Sequence, residues 1–258
     1  MYKYKGVKDN TFALSLDNHA EKLREYALRY ETKAFLDGDP SCFMHKVSGS
    51  LNQEMMAWLA SGISYGSRSQ FLPKIQWLLD CAQGQPDAWV REGAYREFFR
   101  PEDKDCFYRL YNNAEMLRFL EACRTLLKEW NSLGNYVKAN ADDGLGAVEA
   151  LCRGFQSTAV VPQDAKSACK RVCMFLRWMV RDGSPVDLGL WSSFIDKRTL
   201  IMPLDTHVLT EACRLGLMNS RTASMSAARK LTSVLAEVFP EDPLKGDFAL
   251  FGYGVDPK

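Results

Sequence analysis

The residues of this chain that could do chemistry gather between positions 163 and 208. Lys166, Lys170, Arg177 and Arg181 recur at helical spacing, within about 60° of one another on an α-helical wheel. Val172, Cys173, Phe175, Leu176, Met179 and Val180 take the opposite arc, so the segment 165–181 predicts one core face and one basic stripe. No Asp or Glu stands at i±4 within the segment to neutralise the stripe. Such a stripe is most often a solvated helix face. Its functional reading is a surface that tracks phosphates. The turn Val161-Pro162-Gln163-Asp164 before it can aim backbone N–H groups at an anion. Gln163, Ser167 and Arg171 are further candidate DNA contacts. Downstream, Pro203 breaks the chain and Asp205 falls where the N-cap of the next helix belongs. The plain reading is a cap worth about 1 kcal/mol. The same placement suits catalysis, because a cap fixes a carboxylate in space. Asp205 with His207, and Cys169 with Cys173 one helical turn apart, raise a metal reading. The other histidines, His19 and His45, are distant, and no second Cys or His pair stands at ligand spacing, so neither a metal site nor an iron–sulfur loop is expected.

The elements that must position these residues read as helices nearly throughout. Asn18 is a candidate cap for a helix through Leu23, Tyr26, Ala27 and Tyr30, and Ser50 with Gln53 reads as a capping box ahead of Met55, Met56 and Leu59. The stretch 62–67 breaks that helix, and another follows through Phe71, Ile75, Leu78 and Leu79. Further helices are predicted over 114–130, 144–155, 165–181, 205–217 and 222–239, with a loop-rich section from Asp182 to Pro203. Period-2 strands with hairpin turns are not evident, so the chain reads as all-α.

Length and composition bound the rest. A chain of 258 residues with 47% hydrophobic and 25% charged residues is an ordinary globular sequence with enough chain for a sizeable core. The net charge of +1 argues mildly against nucleic acid as a partner. Basic residues slightly exceed acidic ones from residue 151 onward, and the reverse holds before it, so any DNA site must be a local patch. No apolar run approaches the roughly 20 residues of a membrane span, and the N-terminus lacks the apolar core of a signal peptide. Eight dispersed cysteines fit a reducing compartment. A cytoplasmic protein without membrane partners is expected.

The segment Met-Pro-Leu-Asp-Thr-His-Val at 202–208 resembles the Pro-Val-Asp-Thr-His-Val segment of the helix-hairpin-helix DNA glycosylase superfamily, known as HhH-GPD, which includes endonuclease III and the adenine-mismatch and oxidised-guanine glycosylases. Residues 167–181 resemble the second helix of that hairpin, and Asp-Phe-Ala-Leu-Phe-Gly-Tyr-Gly at 247–254 resembles the closing helix. The chain is more closely similar to an uncharacterised bacterial domain-of-unknown-function group in or near that superfamily. Three strings carry this likeness: Phe-Leu-Arg-Trp-Met-Val-Arg at 175–181, Asp-Leu-Gly-Leu-Trp at 187–191 and Pro-Leu-Asp-Thr-His-Val at 203–208.

The resemblance implies a fold, a site and a reaction. The fold would be one glycosylase-like unit over 1–258. A hairpin-bearing subdomain at 140–240 would pack on a companion formed by 1–139 and 241–258, with the catalytic cleft between them. Lys170 matches the lysine of lyase-competent members and Asp205 their catalytic aspartate. The protein would then be a base-excision repair enzyme, a DNA glycosylase and abasic-site (AP) lyase, acting as a nucleoid-associated monomer on double-stranded DNA with a damaged base. The first expected lesion is 8-oxoguanine and the second an oxidised pyrimidine. A base inside a duplex is out of reach, so the nucleotide must be flipped into a pocket. Lys170 would attack the sugar C1′, expel the base and form a Schiff base, and Asp205 would take its proton and stabilise charge developing on the sugar. A lysine amine attacks only when burial or nearby cations favour its neutral form, and Lys166 and Arg177 would supply such charge. Trp178, Trp191, Phe248, Phe251 and Tyr253 are the candidates to line the base pocket, although aromatics at helical spacing usually pack in a core. No metal or organic cofactor is needed. The competing readings are a non-catalytic helical DNA- or RNA-binding protein that kept the fold, and a helical partner-binding domain.

Overall fold

The computed structural model describes residues 10–220 and 222–255, with side chains from His19 onward. The first eight residues, read above for a signal peptide, lie outside the described residues. The fold is mostly helical, as the periodicity predicts. It comprises α1 (Asn10–Tyr30), α2 (Cys42–His45), α3 (Ser50–Ile63), α4 (Arg68–Cys81), α5 (Pro86–Glu92), a small hairpin of β1 (Cys106–Tyr108) and β2 (Tyr111–Asn112), α6 (Asn113–Trp130), α7 (Leu133–Asn140), α8 (Gly144–Gly154), α9 (Lys170–Val180), α10 (Thr206–Arg214), α11 (Met225–Val238) and α12 (Lys245–Val255). The hairpin is antiparallel. Its strands are too short for alternation to show in sequence.

The centre is α3. From Glu54 to Ile63 every residue is buried, because Met-Met-Ala-Trp-Leu-Ala-Ser-Gly-Ile offers apolar or small side chains all round the helix. It packs against α2, α4, α5, α7 and α9. Gly62 lets Val160 and Phe119 close in on the α3 backbone. One buried cluster contains residues from Leu23 to Leu250. The first and last helices meet, with α1 running along α12 and touching α11.

Several boundaries move from the expected places. Asn18 lies inside α1, which begins at Asn10. Gly49, with φ +86°, stands at the N-cap of α3, and Ser50 is its first residue, so the Ser50–Gln53 capping box does not form. The helix predicted from 165 starts only at Lys170, because Cys169 adopts the left-handed conformation at φ +45°. The turn at 161–164 is accordingly part of a longer connection over residues 155–169. There Ser167 bridges to Ser224, and the Asp164 carboxylate accepts from the Lys166 N–H at 3.0 Å.

Candidate functional site: a lysine–carboxylate pair at the junction of two cavities

Asp205 is the N-cap of α10. Its backbone is extended, and Oδ1 accepts the Val208 N–H at 2.9 Å. The approach to the cap is itself held: the Met202 N–H donates to Thr232 Oγ1 at 2.9 Å, and the Leu204 N–H to the Met202 carbonyl at 2.7 Å. With Oδ1 occupied, Oδ2 faces the first residue of α9, and Lys170 Nζ stands 3.7 Å from it. Both side chains are partly open, at 33% and 40% exposure.

Two adjoining cavities share this pair. The larger, about 680 Å³, is walled on one side by Asp39, Ser64, Tyr65 and Arg68 and on the other by Ser167, Cys169, Lys170, Arg171, Asp205 and Thr206. The smaller, about 270 Å³, has Phe35, Met174, Pro203, His207, Asp247 and Phe251 in its wall. Asp39, Arg68, Lys170, Met174 and Asp205 line both. Asp39 is fixed by the Ser41 N–H at 3.0 Å and Ser41 Oγ at 2.6 Å, and Arg68 reaches its other oxygen at 3.5 Å.

The β1–β2 hairpin is fastened to the rim of the larger cavity. Tyr65 Oη accepts from the Leu110 N–H at 3.2 Å, and Tyr108 donates its hydroxyl to the Tyr65 carbonyl. Arg171 donates to the Gly62 carbonyl and to Tyr111 Oη, the latter at 2.8 Å, and its guanidinium lies 5.0 Å from the Tyr65 ring centroid. Arg171 thus lines the cavity while tying α9 to α3 and the hairpin.

The basic stripe does not exist as a surface. Lys166 precedes α9, is 90% exposed and pairs with Asp164 at 3.1 Å. Arg177 and Arg181 are buried. Arg177 meets Asp187 at 3.3 Å and also Asp247. Burial works against its charge, but the two carboxylates outweigh it and hold its pKa above the usual value. Arg181 meets Asp242 at 2.8 Å, Glu31 at 2.6 Å and Asp187. Asp247 is pushed up by burial, against the pull of Arg177 and Lys170. Neither Lys166 nor Arg177 is therefore the free cation expected beside Lys170, and Arg177 and Arg181 cannot track phosphates. Gln163 is exposed and donates to the Thr158 carbonyl at 2.8 Å.

Three of the five base-pocket candidates are core residues. Trp178 and Phe248 have no exposed surface, and Phe248 lies under the Arg177 and Arg181 guanidinium groups at 4.7 and 5.3 Å. Trp191 is buried against Phe175 and donates Nε1 to Glu54 Oε1 at 2.9 Å. Phe251 does reach the smaller cavity. Tyr253 packs edge-on to Tyr26 at 4.6 Å, and burial pushes its hydroxyl up to about 12.

The sequence reading missed the opposite wall of the site, Asp39, Tyr65 and Arg68. The one available signal was the helix break at 62–67, where Gly66 turns at φ +82° against Arg109 and Tyr108.

Among the described residues no group of three or more His, Cys, Asp or Glu side chains could hold a metal ion. Among them also, no helix is long and apolar enough to cross a membrane. A family model described as "Protein of unknown function (DUF2400)" matches residues 39–256. No curated protein and no solved structure matches the chain.

Proposed function

The chain belongs to this family of unknown function, and on that premise we propose that it is a DNA base-excision glycosylase with abasic-site lyase activity, in which Lys170 is the nucleophile and Asp205 its carboxylate partner. One observation carries the reading: the Lys170 amine stands 3.7 Å from the free oxygen of a carboxylate whose other oxygen is fixed by a helix cap. The site also has the room and the two-sided build that the reading needs. A volume of about 680 Å³ suits a flipped nucleoside. Its walls come from residues 39–71 and 162–206, which fall in the two subdomains that the helix-hairpin-helix resemblance implies.

In this mechanism the Lys170 nitrogen bonds to the sugar C1′ as the C1′–base bond breaks, and the base leaves with the electron pair. Asp205 accepts the ammonium proton and opposes positive charge developing on the sugar. Ring opening gives a Schiff base at C1′; loss of a C2′ proton then breaks the C3′–O bond, expels the 3′ phosphate and cuts the strand. Arg68 and Arg171 are the cations in the wall available to an anionic backbone. The substrate is double-stranded DNA carrying a damaged base, with 8-oxoguanine as the first choice, and the enzyme acts as a nucleoid-associated monomer in a bacterial cytoplasm. Of the proposed base-pocket aromatics, Phe251 lines the site.

The test is borohydride trapping on duplexes with 8-oxoguanine, an oxidised pyrimidine or an abasic site, using wild type and Lys170→Ala in parallel. A covalent adduct that disappears in the variant is the expected result, and the duplex that traps best identifies the lesion. Absence of an adduct on all three, with duplex binding intact, overturns the lyase assignment. Absence of binding even at low salt overturns the nucleic-acid reading altogether.

A further inference from the structure

The β1–β2 hairpin ends in a two-residue loop, Arg109 and Leu110, between the paired Tyr108 and Tyr111. Such loops favour glycine or asparagine, because the chain must turn through positive φ. Here Arg109 holds φ +51°, so the loop carries a long cationic side chain where the turn favours none. Leu110 is 82% exposed, the most open large apolar side chain among the described residues. Arg109 is exposed as well, and among the described residues no carboxylate pairs with it. The exposed Arg96, Arg118 and Arg198 each meet one.

The tip is open to solvent, but its base is clamped. The Leu110 N–H donates to Tyr65 Oη at 3.2 Å, the Tyr108 hydroxyl to the Tyr65 carbonyl, and Arg171 to Tyr111 Oη at 2.8 Å. The rings of Tyr108 and Tyr111 pack edge-on to Tyr65 at 5.1 and 5.5 Å. Tyr65 and Arg171 line the larger cavity, so the hairpin stands at its mouth. The Arg109 guanidinium lies 5.7 Å from the Tyr65 ring and against Gly66, another residue of that wall. A cation and an apolar side chain are thus held next to each other beside the opening.

We propose that this tip holds duplex DNA open at the site: Leu110 enters the base stack where a nucleotide has left it for the cavity, and Arg109 takes the neighbouring phosphate. The inference rests on the proposed glycosylase function. A flipped nucleotide leaves a gap whose neighbours lose their stacking, and an apolar side chain inserted between base steps covers the bared faces. A cation beside that side chain meets the phosphate of the adjoining step. Leu110 does no packing for the fold, since it lies outside the buried cluster, and Arg109 has its charge to give. The clamp on Tyr65 serves the same end, because a tip that gave way would let the stack close again.

The test compares wild type, Leu110→Ser and Arg109→Gly by borohydride trapping on an abasic site in a duplex and on the same site in a single strand. A duplex with 2-aminopurine opposite the site adds a fluorescence reading of the stack. Both side chains are exposed, so an unchanged thermal midpoint shows that each variant is folded. Leu110→Ser should trap the duplex about tenfold more slowly and the single strand within about twofold of wild type, since a single strand has no stack to hold open. The 2-aminopurine should brighten when wild type binds and stay dim with Leu110→Ser. Arg109→Gly should weaken duplex binding and lower its salt dependence by about one phosphate contact. Equal losses on both substrates, or no loss on the duplex, would overturn the proposal and leave the Lys170 chemistry standing. A fluorescence rise that Leu110→Ser loses, from a chain that traps nothing, would uphold the tip's role and refute the lyase assignment alone. No duplex binding by wild type would overturn both.

Discussion

Replacing Arg181 separates the two roles that a basic residue on α9 could have. Arg181 is 1% exposed, and its guanidinium serves three carboxylates, Glu31, Asp187 and Asp242, from three different parts of the chain. Arg181→Met keeps most of the side-chain volume and removes the charge, leaving those carboxylates without their shared partner. Breaking a buried ion pair from one side costs about 3–5 kcal/mol, because the surviving charge stays desolvated. With a urea slope of about 3 kcal/mol/M for a chain of this size, the midpoint should fall by about 1–2 M.

The cost should depend on pH in a defined direction. Asp187 is already pushed up by burial, with Arg177 and Arg181 pulling against it. A carboxyl whose folded pKa lies above its unfolded value stabilises the fold when protonated, and that contribution is lost as pH rises through the folded value. Removing Arg181 takes away one of the two groups holding Asp187 down, so the variant should bind the proton more tightly and recover part of its stability in acid. Urea unfolding at about pH 8 and about pH 5 should show the larger deficit at the higher pH. Asp187→Asn in the Arg181→Met background should return part of the loss at the higher pH. A variant within about 0.5 kcal/mol of wild type at both values would refute the buried-network account. If that variant also lost duplex affinity, Arg181 would be the phosphate contact that its spacing first suggested.

Asp205 and Gly66 give two further separations. Asp205→Ala should cost about 1 kcal/mol through the lost cap and abolish borohydride trapping, whereas Asp205→Asn should keep the cap, since Asn is as good an N-cap as Asp, and still lose trapping. Equal trapping by Asp205→Asn and wild type would leave Asp205 as a cap alone. Gly66→Ala should cost about 1–2 kcal/mol for its left-handed backbone and, by pushing Arg109 off the Tyr65 ring, about 0.5–1 kcal/mol more. Gly38→Ala, at φ +69° with nothing within 4 Å, carries the backbone cost without the contact. An equal or smaller midpoint change for Gly66→Ala than for Gly38→Ala would show that the hairpin contact contributes nothing.

What could be read from the sequence follows the range of the interactions involved. Asp205 was legible as a cap because capping is local: Pro203 before it and an apolar period after it define the position, and α10 starts where they say. The core face of α9 was legible for the same reason. The opposite face was misread because the i±4 rule sees only partners on the same helix. Arg177 and Arg181 are neutralised by Glu31, Asp187, Asp242 and Asp247, none of which lies in the segment. Cys169 in the left-handed region was invisible, since a non-glycine residue there is dictated by its tertiary surroundings. That one backbone angle moved the start of α9 from 165 to 170 and turned Lys170 from a second-turn residue into a first residue.

That shift has a chemical consequence. A lysine inside a helix is surrounded by its own helix's side chains, whereas a first residue projects from an end whose N–H groups lack intrahelical partners. Lys170 and Asp205 therefore meet end to end, one at the start of α9 and the other capping α10. With Arg177 and Arg181 committed to the interior, the cations that line the larger cavity are Arg68, Lys170 and Arg171. They share that wall with the Asp39 and Asp205 carboxylates, so the positive charge open to an anionic ligand is small and sits around the pair itself rather than along a helix. On the proposed function, affinity for undamaged duplex should be modest and strongly salt-dependent, and discrimination should arise after a nucleotide has entered the cavity.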